Sequence, residues 1–347
     1  MKLVCHIGTP KTASTFLQNT CAANPKWLKE NGILYPDMLT PSPNHITLFY
    51  ANSGGLHDFA KDYGLKSQED LAAFRKHLSD RIAKQVRAAP KGVDTMLMSS
   101  ENLTGNLISP QGVQRLKEFL APHFDDIRIV MYARRQDDAI LSMYGEFMRR
   151  GFSDHTFEQF VEKALSPHTQ VPYLYYRRIL TPWIEAFGRD AITVRKFDRQ
   201  SLLGGDILTD FFAQVFKTDT APDLSALVAS EDDNVGLSGP VLEFLQLMYP
   251  SMSFRKNGQA NPLRARLAPY INKLPAEPRP RMPTAQSRKI MQYFRPANTW
   301  LKNTFFSDQE GPLFPAQGRP GEKGNIGQIT PEEFADFAGR ILAAATK

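Results

Sequence analysis

The stretch Leu3-Val4-Cys5-His6-Ile7-Gly8-Thr9-Pro10-Lys11-Thr12-Ala13-Ser14-Thr15-Phe16-Leu17-Gln18 limits the fold more than any other part of the chain. Leu3 to Ile7 is a short, mostly apolar run of the kind that forms a buried strand. Gly8 and Pro10 break it, Thr12, Ser14 and Thr15 are capping residues, and Phe16 and Leu17 begin an apolar helical face. A strand, a tight loop and a helix in immediate succession open a parallel α/β unit. Such a loop turns several backbone N–H groups toward one point, and the helix dipole adds partial positive charge there. The point suits a phosphate or a sulfate.

Two more units of this kind follow. Thr95-Met96-Leu97-Met98 reads as a buried strand with Ser99-Ser100-Glu101-Asn102 at its carboxyl end, and Ser109-Pro110 opens the next helix. Asp126 to Ala133 is another strand, closed by Arg134-Arg135, with a helix continuing to about Arg150. Elsewhere the pattern predicts a first helix from Ser14 to about Asn31 and a short strand at Ile33-Leu34-Tyr35. A helix from Gln68 to Ala89 carries an apolar stripe of Leu71, Phe74, Leu78, Ile82 and Val86. Helices are also expected at Pro172–Phe187 (with a kink at Pro182), Asp206–Phe216, Ser238–Tyr249, Thr284–Phe294, Asn298–Phe305 and from Thr330 onward, with a strand at Ala191–Arg195. Residues 37–66, with His45 and His57, read as a long loop insertion, and Gly318 to Gly327 as a Gly-rich loop.

Strand-to-helix units without hairpin signals predict an α/β fold: a three-layer sandwich around a mostly parallel sheet, followed by a mainly helical C-terminal part. Ligands of such sheets bind beyond the carboxyl ends of the strands. Lys11, Glu101 and Arg134 each follow a strand directly, so they are expected to converge.

With 347 residues the chain is expected to form a single large domain over 1–347. Its formal charge of +6 is mild, but the excess is local: Arg255 to Lys302 holds eleven Lys/Arg and one acid, Glu277. This basic, Pro-rich segment, 250–328 in its widest extent, suggests an anionic ligand or surface, with peripheral membrane contact as one form of it. No nucleic-acid partner is expected. Cys5 and Cys21 make no disulfide framework and read as buried free thiols. The first strand follows Met1 directly and no run of 18 apolar residues occurs, so the expectation is a soluble, cytoplasmic protein.

The first loop is not a Walker A loop, in which a lysine directly precedes the final Ser/Thr; here Lys11 lies mid-loop. His6-Ile7-Gly8 through Lys11-Thr12-Ala13-Ser14-Thr15 resembles the 5′-phosphosulfate loop of sulfotransferases that use 3′-phosphoadenosine 5′-phosphosulfate (PAPS). Arg134 at a strand end and Ser142 eight residues later resemble the 3′-phosphate motif of the same family, although Arg135 could take the place of Arg134. Trp183 to Gly188, Arg195 to Asp198, Asn234 to Ser238 and Asn298 to Leu301 are similar to the bacterial branch. One departure is Ala13, where that family most often has glycine. An alanine does not adopt positive φ cheaply, so the loop is expected to be near-helical there.

The resemblance implies a P-loop-like phosphosulfate-binding loop. Lys11, Thr12, Ala13, Ser14 and Thr15 would hold the 5′ end of PAPS, and Arg134 and Ser142 the 3′-phosphate. It implies in-line transfer of a sulfuryl group to a hydroxyl, with Lys11 nearest the chemistry and no metal. The sequence correspondingly lacks a Mg²⁺-like carboxylate cluster and a zinc spacing. Glu101 matches a catalytic glutamate of glycan sulfotransferases and is the first candidate for the general base; His45, in the long loop, is the second. The acceptor implied is a carbohydrate or glycolipid. Two other classes stay open: a P-loop small-molecule kinase, and a non-catalytic nucleotide-binding protein.

Overall fold

Five parallel strands form the central sheet of the computed structural model, which describes residues 1–40, 42–56, 63–166, 171–230, 236–316 and 322–345. They are β1 (Lys2–His6), β2 (Ile33–Leu34), β3 (Thr95–Ser99), β4 (Asp126–Ala133) and β5 (Ile192–Lys196), in the order β2-β3-β1-β4-β5. His6 lies level with Ser99 on one side and with Val130 on the other, and β4 runs on to Ala133. The connection leaving β1 runs to one side of the sheet, and the one leaving β3 crosses to the other. β1 therefore sits at a topological switch point, where such sheets bind ligands. His57, Asn234, Val235 and the start of the Gly318–Gly327 stretch lie outside the described residues.

The helices longer than one turn, among the described residues, are α1 (Ser14–Ala23), α2 (Pro25–Glu30), α3 (Thr47–Asn52), α4 (Gln68–Arg87), α5 (Pro110–Leu120), α6 (Gln136–Arg150) and α7 (Phe157–Ala164). They continue with α8 (Tyr176–Phe187), α9 (Ile207–Phe216), α10 (Gly239–Leu247), α11 (Pro262–Ile271), α12 (Thr284–Tyr293), α13 (Arg295–Phe305) and α14 (Pro331–Ala345).

The chain packs as two compact units, each assembled from three segments. The first comprises Met1–Arg134, Tyr175–Glu231 and Trp300–Ser307. It holds the sheet, whose strands are buried on both faces and so read as continuous apolar runs rather than alternating ones. Val4, Leu97, Val130 and Tyr132 face α1, α2 and α9 through Leu17, Cys21, Trp27, Phe211 and Phe212. Leu3, Cys5, Met96, Met98, Ile129 and Met131 point the other way and are equally buried. On that side α5 and α8 pack together, and Lys117 Nζ donates to the Ala186 carbonyl at 2.6 Å.

The second unit, Arg135–Leu174, Asp232–Thr299 and Asp308–Lys347, is mainly helical. In it α6 packs on α10 and α12, and α10 meets α14 through Phe244, whose ring lies 5.2 Å from that of Phe334. The basic segment supplies an antiparallel hairpin, β6 (Arg255–Lys256) and β7 (Gln259–Ala260), followed by α11.

Several expectations differ from the structure. The first helix is not continuous to Asn31. It stops at Ala23, with Asn24 between the two helices, and restarts as α2 with Pro25 in its first position, where the missing N–H costs nothing. The 37–66 loop contains α3, all six residues of which are buried. The pattern also gave no element for α7, which opens on a capping box between Thr156 and Gln159, or for α11, which Asn261 caps.

Candidate active site

The loop between β1 and α1 takes three left-handed residues: Gly8 (φ 59°), Lys11 (φ 67°) and Ala13 (φ 61°). The near-helical conformation expected at Ala13 is therefore corrected, and the alanine carries a conformation that favours glycine. The loop is held from inside. Thr12 Oγ1 donates to the Thr9 carbonyl at 2.7 Å, and the Thr9 hydroxyl donates to the Tyr132 carbonyl on β4. These bonds engage the Thr12 hydroxyl inside the loop, where the residue is fully buried. Ser14 is buried, with its Oγ 3.5 Å from the Thr9 carbonyl, and Thr15 is exposed. Ala13 offers no side chain to cap α1, so the first amides of that helix lack the usual side-chain acceptor.

Glu101 presses against this loop from the end of β3. A Cβ placed on Gly8 would lie 2.9 Å from Glu101 Cα and 3.0 Å from Ser14 Oγ, so only glycine fits. The carboxylate is aimed by a residue that sequence reasoning missed. Gln18, one turn beyond Ser14 on α1, is buried, and its Nε2 donates to Glu101 Oε2 at 2.9 Å and to Ser99 Oγ at 3.2 Å. Ser99 Oγ in turn lies 2.8 Å from His6 Nδ1. Burial pulls the His6 ring down to about 3, so it is neutral and shares one hydrogen bond with the serine hydroxyl. The glutamine amide thus donates to both serine and glutamate, and the serine links it to His6. The helical spacing of Ser14 and Gln18 was the available signal.

His45 is not an exposed loop histidine. It is buried; its N–H donates to the Ser99 carbonyl at 2.9 Å, and its Nδ1 accepts from the Ser99 N–H at 3.0 Å. The ring also bonds the Pro36 carbonyl, and it stacks on Tyr35 at 4.5 Å. Burial pulls it down to about 3, against the opposing effects of Pro36 and Asp37. With both ring nitrogens engaged, His45 has no site to take an acceptor's proton. It braces the end of β3 beside Glu101, as does Asn44, whose Oδ1 accepts from Ser100 Oγ at 2.8 Å.

Arg134 and Arg135 part company. Arg134 Nη1 donates to the Lys11 carbonyl at 2.7 Å, and its guanidinium carbon lies 5.6 Å from the centroid of the Phe197 ring. Tyr176 clamps its backbone, accepting from the Arg134 N–H at 2.8 Å and donating to its carbonyl. Arg135 is buried in a two-point ion pair with Asp137, Nη2 to Oδ2 at 2.7 Å and Nε to Oδ1 at 3.0 Å. Of the two, only Arg134 reaches the loop. Lys11, Glu101 and Arg134 thus meet around one loop at the carboxyl ends of β1, β3 and β4. Ser142 lies on α6 in the second unit, half-buried. Burial pushes the thiols of Cys5 and Cys21 up to about 12, which leaves them inert.

Among the described residues no group of three His, Cys, Asp or Glu is arranged to hold a metal ion, and no helix is long and apolar enough to cross a membrane. No protein-family profile and no curated protein sequence matches the chain. Its backbone is similar to that of a crystal structure of a sulfotransferase from Alicyclobacillus acidocaldarius, with 17% sequence identity and a TM-score of 0.40, covering 66% of this chain and 86% of that one.

Proposed function

We propose that the chain is a sulfotransferase that moves the sulfuryl group of PAPS to a hydroxyl of a carbohydrate or glycolipid. One observation carries the reading: the Arg134 guanidinium, at the end of β4, bonds the backbone of Lys11 beside an uncapped helix start, with Glu101 packed against the same loop. Lys11 and a row of backbone amides suit the 5′-phosphosulfate, Arg134 suits the 3′-phosphate, and the mid-loop lysine agrees with the resemblance to the PAPS loop. The nature of the acceptor rests on that resemblance, as does the assignment of Ser142 to the 3′-phosphate.

In this reading the acceptor oxygen forms a bond to sulfur while the bond from sulfur to the bridging oxygen breaks. Glu101 takes the hydroxyl proton, and adenosine 3′,5′-bisphosphate leaves. Lys11 stabilises the charge that builds on the transferring group and on the departing oxygen, and the amides at the start of α1 hold the 5′-phosphate. Gln18 donates to one oxygen of Glu101, so the other is the one that faces the acceptor.

The test is incubation with PAPS labelled in the sulfate and an extract of the source cell, alongside calorimetric titration with adenosine 3′,5′-bisphosphate. Label should pass to a hydroxyl-bearing molecule, and Lys11→Ala should lower the transfer at least 10²-fold while the fold survives. Near-normal transfer by that variant, or turnover of Mg²⁺-ATP in place of PAPS, would sink the proposal. Tight bisphosphate binding without transfer to any acceptor would favour the non-catalytic reading.

A further inference from the structure

Phe152 and Phe254 stand side by side on the surface of the second unit. Their rings meet edge to face at 4.8 Å, yet 42% and 44% of the two residues stay open to solvent. Phe254 leads directly into β6, and every residue from Phe254 to Ala260 is exposed. The hairpin is a fixed projection. Its two turn residues, Asn257 (φ 53°) and Gly258 (φ 80°), are both left-handed, which matches the twist of a tight hairpin. Its base is tied to the end of α6, with the Phe254 N–H donating to the Gly151 carbonyl at 2.7 Å. Asn261, buried below the hairpin, donates to the Ser251 and Ser253 carbonyls at 3.1 and 2.9 Å. A Cβ on Gly151 would lie 2.5 Å from the Met252 carbonyl oxygen, so the contact has no slack.

The charges around the rings are of one sign at the tip. Arg255 and Lys256 form β6, both exposed, and Arg150 places its guanidinium carbon 5.9 Å from the centroid of the Phe152 ring. Arg150 is paired with Glu146, so the unbalanced positive charge of the tip rests on Arg255 and Lys256. We propose that this basic hairpin, with its two phenylalanines, docks the chain on an anionic lipid surface. A bilayer interface takes apolar rings at the depth of the headgroups while its phosphates meet the cations. A soluble polyanion would meet the charges but leave both rings in water. The inference uses no residue of the proposed active site and stands apart from the reaction assigned there.

The experiment is co-sedimentation of the full chain with phosphatidylcholine vesicles, with and without phosphatidylglycerol, and retention on immobilised heparin as the polyanion control. The wild type should bind the anionic vesicles and not the neutral ones. Each basic side chain near such a surface strengthens binding about fivefold, so the Arg255→Gln/Lys256→Gln double variant should lose roughly 25-fold. Phe152→Ser/Phe254→Ser should also weaken vesicle binding while leaving heparin retention unchanged. Vesicle binding that neither double variant alters overturns the proposal, and so does heparin retention without vesicle binding. Should the serine variant fail to fold, the charge variant, which removes no packed ring, decides the question.

Discussion

Ala13 stores a small conformational cost at the point where the proposed chemistry needs an open helix start. A left-handed L-residue costs about 1–2 kcal/mol, and glycine avoids it at a smaller entropic cost in the unfolded chain. Ala13→Gly should therefore raise stability by roughly 0.5–1 kcal/mol, read as a higher urea midpoint at unchanged slope; a lower midpoint would refute the left-handed assignment at φ 61°. Gln18 is the second residue where the prediction is sharp. Gln18→Leu keeps the volume but removes the donor to Glu101 and Ser99. Transfer should fall about 10–100-fold through kcat, because a loosely aimed base costs orientation rather than binding. The affinity for adenosine 3′,5′-bisphosphate should hold, and a parallel loss of that affinity would assign Gln18 to the fold of the loop instead. The sequence made Lys11, Glu101 and Arg134 legible because each follows a strand end. It could not separate Arg134 from Arg135, since that depends on Asp137 claiming the second guanidinium. Nor could it see His45 turned inward, since its partner, the backbone of Ser99, lies 54 residues away.

At the scale of elements, the strands were readable because burial on both faces leaves them as unbroken apolar runs, and β4 was bounded correctly to the residue. The helix starts marked by Ser109-Pro110 and Ser238 were equally plain, since each cap is a local hydrogen bond. What escaped was long-range. The break between α1 and α2 is fixed by Asn24, whose Nδ2 donates to the Thr20 and Val228 carbonyls at 2.7 Å and whose Oδ1 accepts from the Val228 N–H at 2.9 Å. Asn24 is buried, so removing its amide opens a gap and breaks the tie to the Val228 backbone. Asn24→Ala should cost about 1–2 kcal/mol. Pro25→Ala, by contrast, touches a position where the proline merely fits, and should change stability by less than about 1 kcal/mol. Paired urea denaturation curves check both, and a larger loss from Pro25→Ala than from Asn24→Ala would show that the proline sets the break.

The two units differ in how they should answer to acid. His6 and His45 belong to the first unit, both are buried, and burial pulls each to about 3 from an ordinary 6.5. Above that ordinary value both are neutral whether the chain is folded or not. As the pH falls from 6.5 toward 3 only the unfolded chain takes up the protons, so the folded state loses stability across that window. Near pH 5 the loss amounts to about 2 kcal/mol for each ring. In the second unit the described histidine, His155, is partly exposed and not buried like these two. Both buried rings grip Ser99, at the end of β3 and under Glu101, so the weakening falls on the strands that build the candidate site. Hydrogen exchange followed by mass spectrometry near pH 7 and near pH 5, corrected for the intrinsic rate, should show protection lost from β1 and β3 first. Peptides of α10 and α14 should keep theirs. A uniform loss across both units, or an unchanged β1 and β3, would mean that neither histidine is held neutral by the fold.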